Sequence, residues 1–310
     1  MSFKTLFSPA SNSRTLIIDS HKGARSVKPD NLHWINGRHL ADVVGADLVW
    51  SYPGVNSEVR RGYDCIVFNH ASPYSYVDYA WVEANPDARL FYITNEYNLG
   101  EPRALWTAVK DGRKYEVIAN HPPEISKIVT RHVTDWHTVN LNALCFTGQI
   151  AVSAPYAGHC IYWGSYRKGR EPSFKRFLTG HVGISTHAKN RSKFERIGCD
   201  GDFFPRVNWR KNGLAGWRFS LIIEDEINHS VYNHLPNRFY ESLNYGLTPL
   251  FDQQMAVTID ASHYDVPDYL MVRDGPEVKQ CRDGKVPDSW YHTASNEKST
   301  AIHHIEELIQ

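Results

Sequence analysis

Apolar residues in this chain fall in short runs of β-branched and aromatic side chains, separated by polar or amphipathic stretches of helix length. The first series of runs is TLIIDS (15–20), ADLVWS (46–51), DCIVFNH (64–70), RLFYITNE (89–96), YEVIAN (115–120) and VNLNALCF (139–146). Between several of them the spacing predicts helices, at about 34–45, about 74–85 and 122–133, the last opening on Pro122-Pro123. A second series follows: HCIYWG (159–164), HVGISTH (181–187), FERIG (194–198), FSLIIED (219–225), TPLFD (248–252) and DYLMV (268–272). Helices are expected there at 171–179, 236–246 and 296–310. Strand–helix alternation of this kind implies βαβ units and mostly parallel sheets. The loop-rich stretch TGQIAVSAPYAGH (147–159) divides the two series. The expected organisation is therefore α/β, with Rossmann-like domains over 1–152 and 153–295 facing a central cleft, and a terminal helix over 296–310 returning to the first domain.

Composition changes this picture little. The chain has 310 residues, with 42% hydrophobic and 22% charged side chains, as in an ordinary globular protein. No apolar run is long enough to span a bilayer, and no secretory signal is legible. Cys65, Cys145, Cys160, Cys199 and Cys281 are scattered singly, which argues against a disulfide scaffold or a zinc site and suits a reducing cytoplasm. Lys plus Arg and Asp plus Glu each number 34, so any surface for a polyanion must be local. Neither half carries a G-x-G-x-x-G or a G-x-x-x-x-G-K-[ST] loop.

Two stretches carry candidate chemistry. In CIYWGSYRKGREPSFKRFLTG (160–180), an apolar strand stops at Gly164 and Ser165, and Arg167, Lys168 and Arg170 follow before a helix begins. A strand-to-helix turn favours negative charge, and guanidinium forks suit phosphate. In NHLPNRFYESLNYGLTPLFD (233–252), Pro236 opens a helix that places Arg238 and Glu241 on one face. A carboxylate open to a crevice there can accept from a ribose diol, and an arginine one turn back can reach a diphosphate. An Arg–Glu ion pair within the helix is the plainer alternative.

Together the two stretches resemble the nucleotide-sugar half of GT-B glycosyltransferases, most closely the phage DNA β-glucosyltransferase family of T-even-like phages. That family has a strand ending in Y-G-G-S-F-R-S-G-x-R, to which YWGSYRKGR (162–170) is similar with one residue fewer between the arginines. It also has an R-x-W-E helix after an LII strand; here LII (221–223) precedes RFYE (238–241). The resemblance covers about 115–255. It implies that Gly164 and Ser165 line the phosphate turn, that Arg167, Arg170 and Arg238 bind the diphosphate of a UDP-sugar, and that Glu241 binds its ribose. A divalent metal is compatible with this reading and not required by it. The family's catalytic base is an aspartate in an F-T-D setting, where this chain has Asn95. Asparagine cannot take the proton, so the neighbouring Glu96 is the expected base, with Asp30 as the fallback.

The acceptor implied is double-stranded DNA carrying a hydroxymethylated cytosine or uracil, and the reaction an inverting transfer by a monomer. Loops after the first strands interleave Lys22, Arg25, Lys28, Arg60, Arg61 and Tyr74, a mixture that suits phosphates around a base flipped onto an aromatic ring. A non-DNA acceptor, such as a small molecule, glycan or protein, and a non-catalytic nucleotide-binding module are the rival readings. DGD (200–202) matches a metal-binding D-x-D and equally a turn, and EDE (224–226) reads as a solvated strand end, with approach to the crevice as the alternative.

Overall fold

The structure, a computed structural model, describes residues 7–8, 14–19, 37–50, 59–69, 75–95, 100–128, 130–148, 158–207, 213–225, 234–282 and 284–309. The chain divides into two compact units, Met1–Leu144 with Lys298–Gln310, and Cys145–Glu297.

The first unit is built on a seven-stranded sheet: β1 (Phe7–Ser8), β2 (Thr15–Asp19), β3 (Asp47–Trp50), β4 (Cys65–Asn69), β5 (Arg89–Thr94), β6 (Tyr115–Ala119) and β7 (Val133–Thr138), in spatial order β1-β3-β2-β4-β5-β6-β7. Every pairing is parallel except β1 with β3. Strand side chains alternate between faces, so both faces are apolar. One face packs Ile17, Leu48, Val67, Ile93 and Ile118 against Leu40 of helix α1 (Gly37–Val44). The other sets Leu16, Ile66, Phe68, Leu90 and Val117 against Trp81 of α2 (Ser75–Ala84) and Leu105 of α3 (Arg103–Lys110).

The second unit has six strands, all parallel: β8 (Gly158–Trp163), β9 (Val182–Thr186), β10 (Phe203–Pro205), β11 (Trp217–Ile222), β12 (Thr248–Asp252) and β13 (Met271–Val272), ordered β10-β9-β8-β11-β12-β13. Its helices are α4 (Glu171–Phe177), α5 (Ala188–Arg196), α6 (Asn237–Asn244), α7 (Ala256–Asp260), α8 (Gly275–Gln280) and the first part of α9 (Asp288–Ile309). Within this unit Trp290 of α9 packs on Phe239 and Phe251, and Glu297 accepts from the hydroxyls of Tyr240 and Tyr264 at 2.6 and 2.7 Å. Beyond Lys298 the same helix belongs to the first unit, where Ala301, Ile305 and Ile309 enter its core. All five cysteines are free, and among the described residues no helix is long and apolar enough to cross a membrane.

Several expected elements differ. Among its described residues, the stretch 122–133 forms two 3₁₀ turns, Pro123–Ile125 and Thr130–His132, in place of a helix. Ser126 adopts an extended conformation there and its hydroxyl accepts from Ile128 N–H, a local bond that competes with a helix. FERIG is no strand: Asn190 and Phe194, four residues apart, are the buried side of α5. VNLNALCF follows β7 and folds as a 3₁₀ turn over Leu141–Cys145, pinned by Leu141 N–H donating to Asn120 Oδ1 at 2.6 Å. Helix α9 starts at Asp288, two turns ahead of the expected Asn296.

His121, at the carboxyl end of β6, is fully buried with its ring edge-on to Trp136. Burial holds its imidazole neutral, with a pKa lowered to about 4. The unfolded chain then binds more protons between about pH 6.5 and 4, so stability is complete above that window and falls as pH drops through it. Between pH 7 and 4, wild type should lose roughly 3 kcal/mol relative to His121→Phe. Chemical denaturation at a series of pH values checks this, and parallel curves would rule it out.

Candidate functional site

In an open parallel sheet, loops part where the strand order reverses, and ligands settle at the carboxyl ends there. In the second unit that point lies between β8 and β11. Both candidate stretches, and one segment set aside in the sequence, converge on it.

β8 is followed directly by Gly164, whose φ of 152° favours glycine. Its N–H donates to Ser185 O and its carbonyl accepts from Thr186 Oγ1, so both backbone groups stay in the sheet rather than facing a ligand. What matters is the missing side chain. A Cβ here would lie 2.6 Å from Arg238 Nη2 and 3.1 Å from the Tyr162 hydroxyl. Glycine thus lets a guanidinium lie against the strand end. Ser165 is exposed in the following turn, and Lys168–Arg170 forms a 3₁₀ turn leading into α4.

The three arginines have different fates. Arg167 is 43% exposed and donates to Asp225 Oδ2 at 3.4 Å. Arg170 is only 3% exposed: Nε donates to Asp225 Oδ1 at 3.0 Å and Nη2 to Glu224 Oε2 at 2.5 Å. Arg238, in the first turn of α6, donates from Nε to Trp163 O at 2.8 Å and from Nη1 to Glu224 Oε1 and Ile223 O. Its guanidinium lies 5.3 Å from the Tyr162 ring centroid. Among the described residues, Arg238 Nη2 has no hydrogen-bond partner. The Tyr162 hydroxyl and Arg170 Nη1 are likewise buried without one.

Glu224 and Asp225, read from sequence as a solvated strand end, are instead the hub of the site. Glu224 is buried and joins Arg170 to Arg238; Asp225 joins Arg170 to Arg167. The misreading has a physical cause. A charge run at a strand end is usually hydrated, and only the distant arginines that reach it make it an interior one. Glu241 also departs from expectation. It is buried rather than open, and its Oε2 accepts from the Trp163 indole at 2.8 Å, tying α6 to the last residue of β8. The Arg238–Glu241 ion pair within the helix is not formed; Arg238 is paired with Glu224.

Other candidates fall elsewhere. Lys22, Arg25, Lys28, Asp30, Tyr74 and Glu96 lie outside the described residues. Asn95 directly follows β5 at the carboxyl edge of the first sheet, and its buried Oδ1 has no hydrogen-bond partner among the described residues. Arg60 and Arg61 are exposed but precede β4, at the amino edge, where Arg60 O accepts from Asn85 Nδ2. The structure therefore does not bring them together with Asn95. At the switch point of the first sheet stands Asp19, which no motif marked. Its Oδ2 accepts from Gly37 N–H at 2.5 Å and Asn69 Nδ2 at 3.1 Å, across the β2–β4 boundary. Asp200 and Asp202 are both exposed, and no group of three or more His, Cys, Asp or Glu able to hold a metal occurs among the described residues.

No family model and no curated protein matches the chain. Solved structures do. T4 phage BGT, as a point mutant in complex with UDP-glucose, matches at 12% identity and a TM-score of 0.61, over 95% of this chain and 94% of that one. T4 phage BGT in complex with UDP and Mn2+ matches at 11% identity and 0.58, over 94% and 95%. A DNA-modifying β-glucosyltransferase, solved with and without uridine diphosphoglucose, matches at 12% and 0.60, again over 94% and 95%. The chain thus has the α/β fold of two Rossmann-like sheets found in these GT-B structures.

Burial pushes the Asp225 carboxyl up, but Arg170 and Arg167 beside it outweigh burial and hold it below the usual carboxylate range. A depressed folded value stabilises the protein above the unfolded pKa and is lost as pH falls through the folded one. Asp225→Asn should therefore destabilise the protein by about 2 kcal/mol at pH 7, and the difference should shrink below about pH 4. Thermal melts of both proteins across that range provide the check.

Proposed function

We propose that the chain is an inverting glycosyltransferase that moves a sugar from a UDP-sugar to the hydroxymethyl group of a modified pyrimidine in DNA. The observation carrying this reading is Arg238 Nη2, held over the bare Gly164 at the switch point of the second sheet, with the half-exposed Arg167 on Asp225, the neighbour of the Glu224 that holds Arg238. Such a pair presents preset donors to a diphosphate. Structures of the same fold are described with UDP-glucose, and as a DNA-modifying enzyme, which supports the donor and the acceptor assigned here.

In this reading Arg238 and Arg167 meet the charge that grows on the departing UDP. Preorganised donors aimed at developing charge are worth about 10²–10³ in rate apiece. Ser165 lines the same turn. Arg170 and Glu241 are buried and act by holding the turn and α6 in place. Ribose contact by Glu241 would need its carboxylate to be shared with the Trp163 indole. Glu96, next to Asn95, takes the acceptor hydroxyl proton as the sugar carbon–oxygen bond to UDP breaks; Asp30 is the alternative carboxylate. Lys22, Arg25, Lys28 and Tyr74 are assigned to DNA. UDP and Mn2+ occur together in a structure of this fold, so a divalent ion, which would supply positive charge to the diphosphate, is compatible with the reading; Asp225 would hold one only by giving up its pairs with Arg170 and Arg167.

The deciding experiment incubates the protein with a panel of UDP-sugars and either hydroxymethylated or plain DNA, followed by nucleoside mass spectrometry. The expected outcome is addition of one sugar to the hydroxymethylated nucleoside only. UDP release that ignores DNA would instead favour a small molecule, glycan or protein acceptor, which the neutral net charge also suits. Glu96→Gln should lower turnover at least about 10²-fold with UDP binding retained. Arg238→Ala should weaken UDP binding by roughly tenfold or more, measured by calorimetry.

A further inference from the structure

Arg170 and Arg238 come from elements far apart in sequence, yet a single carboxylate joins them. Glu224 Oε2 accepts from Arg170 Nη2 and Glu224 Oε1 from Arg238 Nη1. The Glu224 side chain is only 5% exposed, and Arg170 is 3% exposed. Neither is placed to touch a ligand. Two guanidinium groups this close would repel without the intervening anion.

The consequence is seen at Arg238. Nε is fixed by Trp163 O and Nη1 by Glu224 and Ile223 O, so the planar group cannot rotate. Only Nη2, which lies over Gly164, is left without a hydrogen-bond partner among the described residues. Arg170 in turn is anchored on Asp225 through Nε and Nη2, which fixes the carboxylate that fixes Arg238.

We infer that Glu224 is a positioning residue for diphosphate recognition, an inference that rests on the donor reading of this site. It aims Arg238 by bridging it to the buried Arg170, and Arg170 acts through Glu224 and not on the ligand. The group whose binding depends on Glu224 is the diphosphate of a nucleoside diphosphate; the nucleoside is bound independently of it.

The test compares dissociation constants for UDP and for uridine in wild type, Glu224→Gln, Glu224→Asp and the double variant Arg170→Met with Glu224→Gln. Loss of a charged hydrogen bond predicts that Glu224→Gln binds UDP about 10–100-fold more weakly, with uridine affinity unchanged. Glu224→Asp should recover part of the loss, because it keeps the bridging anion. The double variant removes the two most buried charges together, leaving Asp225 with Arg167 and Arg238 with the carbonyls of Trp163 and Ile223. It should remain folded by circular dichroism and still bind UDP weakly, and it carries the test if Glu224→Gln alone fails to fold. Equal losses for UDP and uridine would overturn the inference, because they would mark a merely structural ion pair. Unchanged or tighter UDP binding in the folded variants would overturn it too, because Glu224 would then be only a counter-ion or a rival anion. If wild type binds neither UDP nor uridine, the donor reading itself fails, and the role of Glu224 falls with it.

Discussion

The second unit depends on two carboxylates at the end of one strand. Arg170 is buried, and a buried guanidinium is tolerated only when it is paired and hydrogen-bonded. Glu224 and Asp225 supply that pairing from the carboxyl end of β11. Because Arg170 stands directly before α4, its anchorage sets where that helix begins. Because Arg238 is in the first turn of α6, the same carboxylates set the start of that helix as well. Trp163 completes the frame: its carbonyl accepts from Arg238, and its indole donates to Glu241. Two helix starts and a strand end are thereby cross-linked around one switch point, which is what a site with preset donors requires.

The first unit uses a related arrangement with a different consequence. Asp19 ends β2 at that sheet's own switch point, and it accepts from the Gly37 backbone at the start of α1 and from Asn69 at the end of β4. A Cβ on Gly37 would come within 2.6 Å of Asp19 Cβ, so glycine is needed for this approach. In the first sheet the acid meets a backbone N–H and an amide, groups whose positions are already set by the fold. In the second it meets long, charged side chains, which keep unused donors after the acid has been satisfied. The second arrangement leaves Arg238 Nη2 without a hydrogen-bond partner among the described residues.

Much of the fold could be read from the chain because parallel strands buried on both faces appear as continuous apolar runs, as at Leu16–Ile18, Ile66–Phe68 and Leu221–Ile223. Short helices were less legible. In α3, only Ala104, Leu105 and Ala108 are buried, and Trp106 is exposed, so the periodic signal is brief. The segment after Pro122-Pro123 showed helical spacing but lost the competition to a serine turn. The candidate site was half legible. Gly164, Arg167, Arg170 and Arg238 share one switch point, as their strand context implied. Glu224 and Asp225 were hidden, because their partners lie at least 14 residues away along the chain and only sheet order brings them together.

A chain with no net charge would ordinarily be a poor candidate for binding a polyphosphate. The geometry at β11 shows why that expectation has little force here. Arg167, Arg170 and Arg238 pair with Glu224 and Asp225, and Glu241 is held by the Trp163 indole, so the cluster is balanced on a count of charges. Attraction for an anion does not follow from that count. It follows from which donors remain directed outward once the internal pairs are made, and from how far burial keeps those pairs from rearranging. Arg170 is wholly enclosed and cannot contribute directly, whereas Arg238 is held on three sides with one nitrogen left over. Directed donors of this kind strengthen as water is excluded, whereas an excess of surface charge is screened by salt. Under the proposed function, anion recognition would be a matter of orientation, which a balanced composition does not oppose.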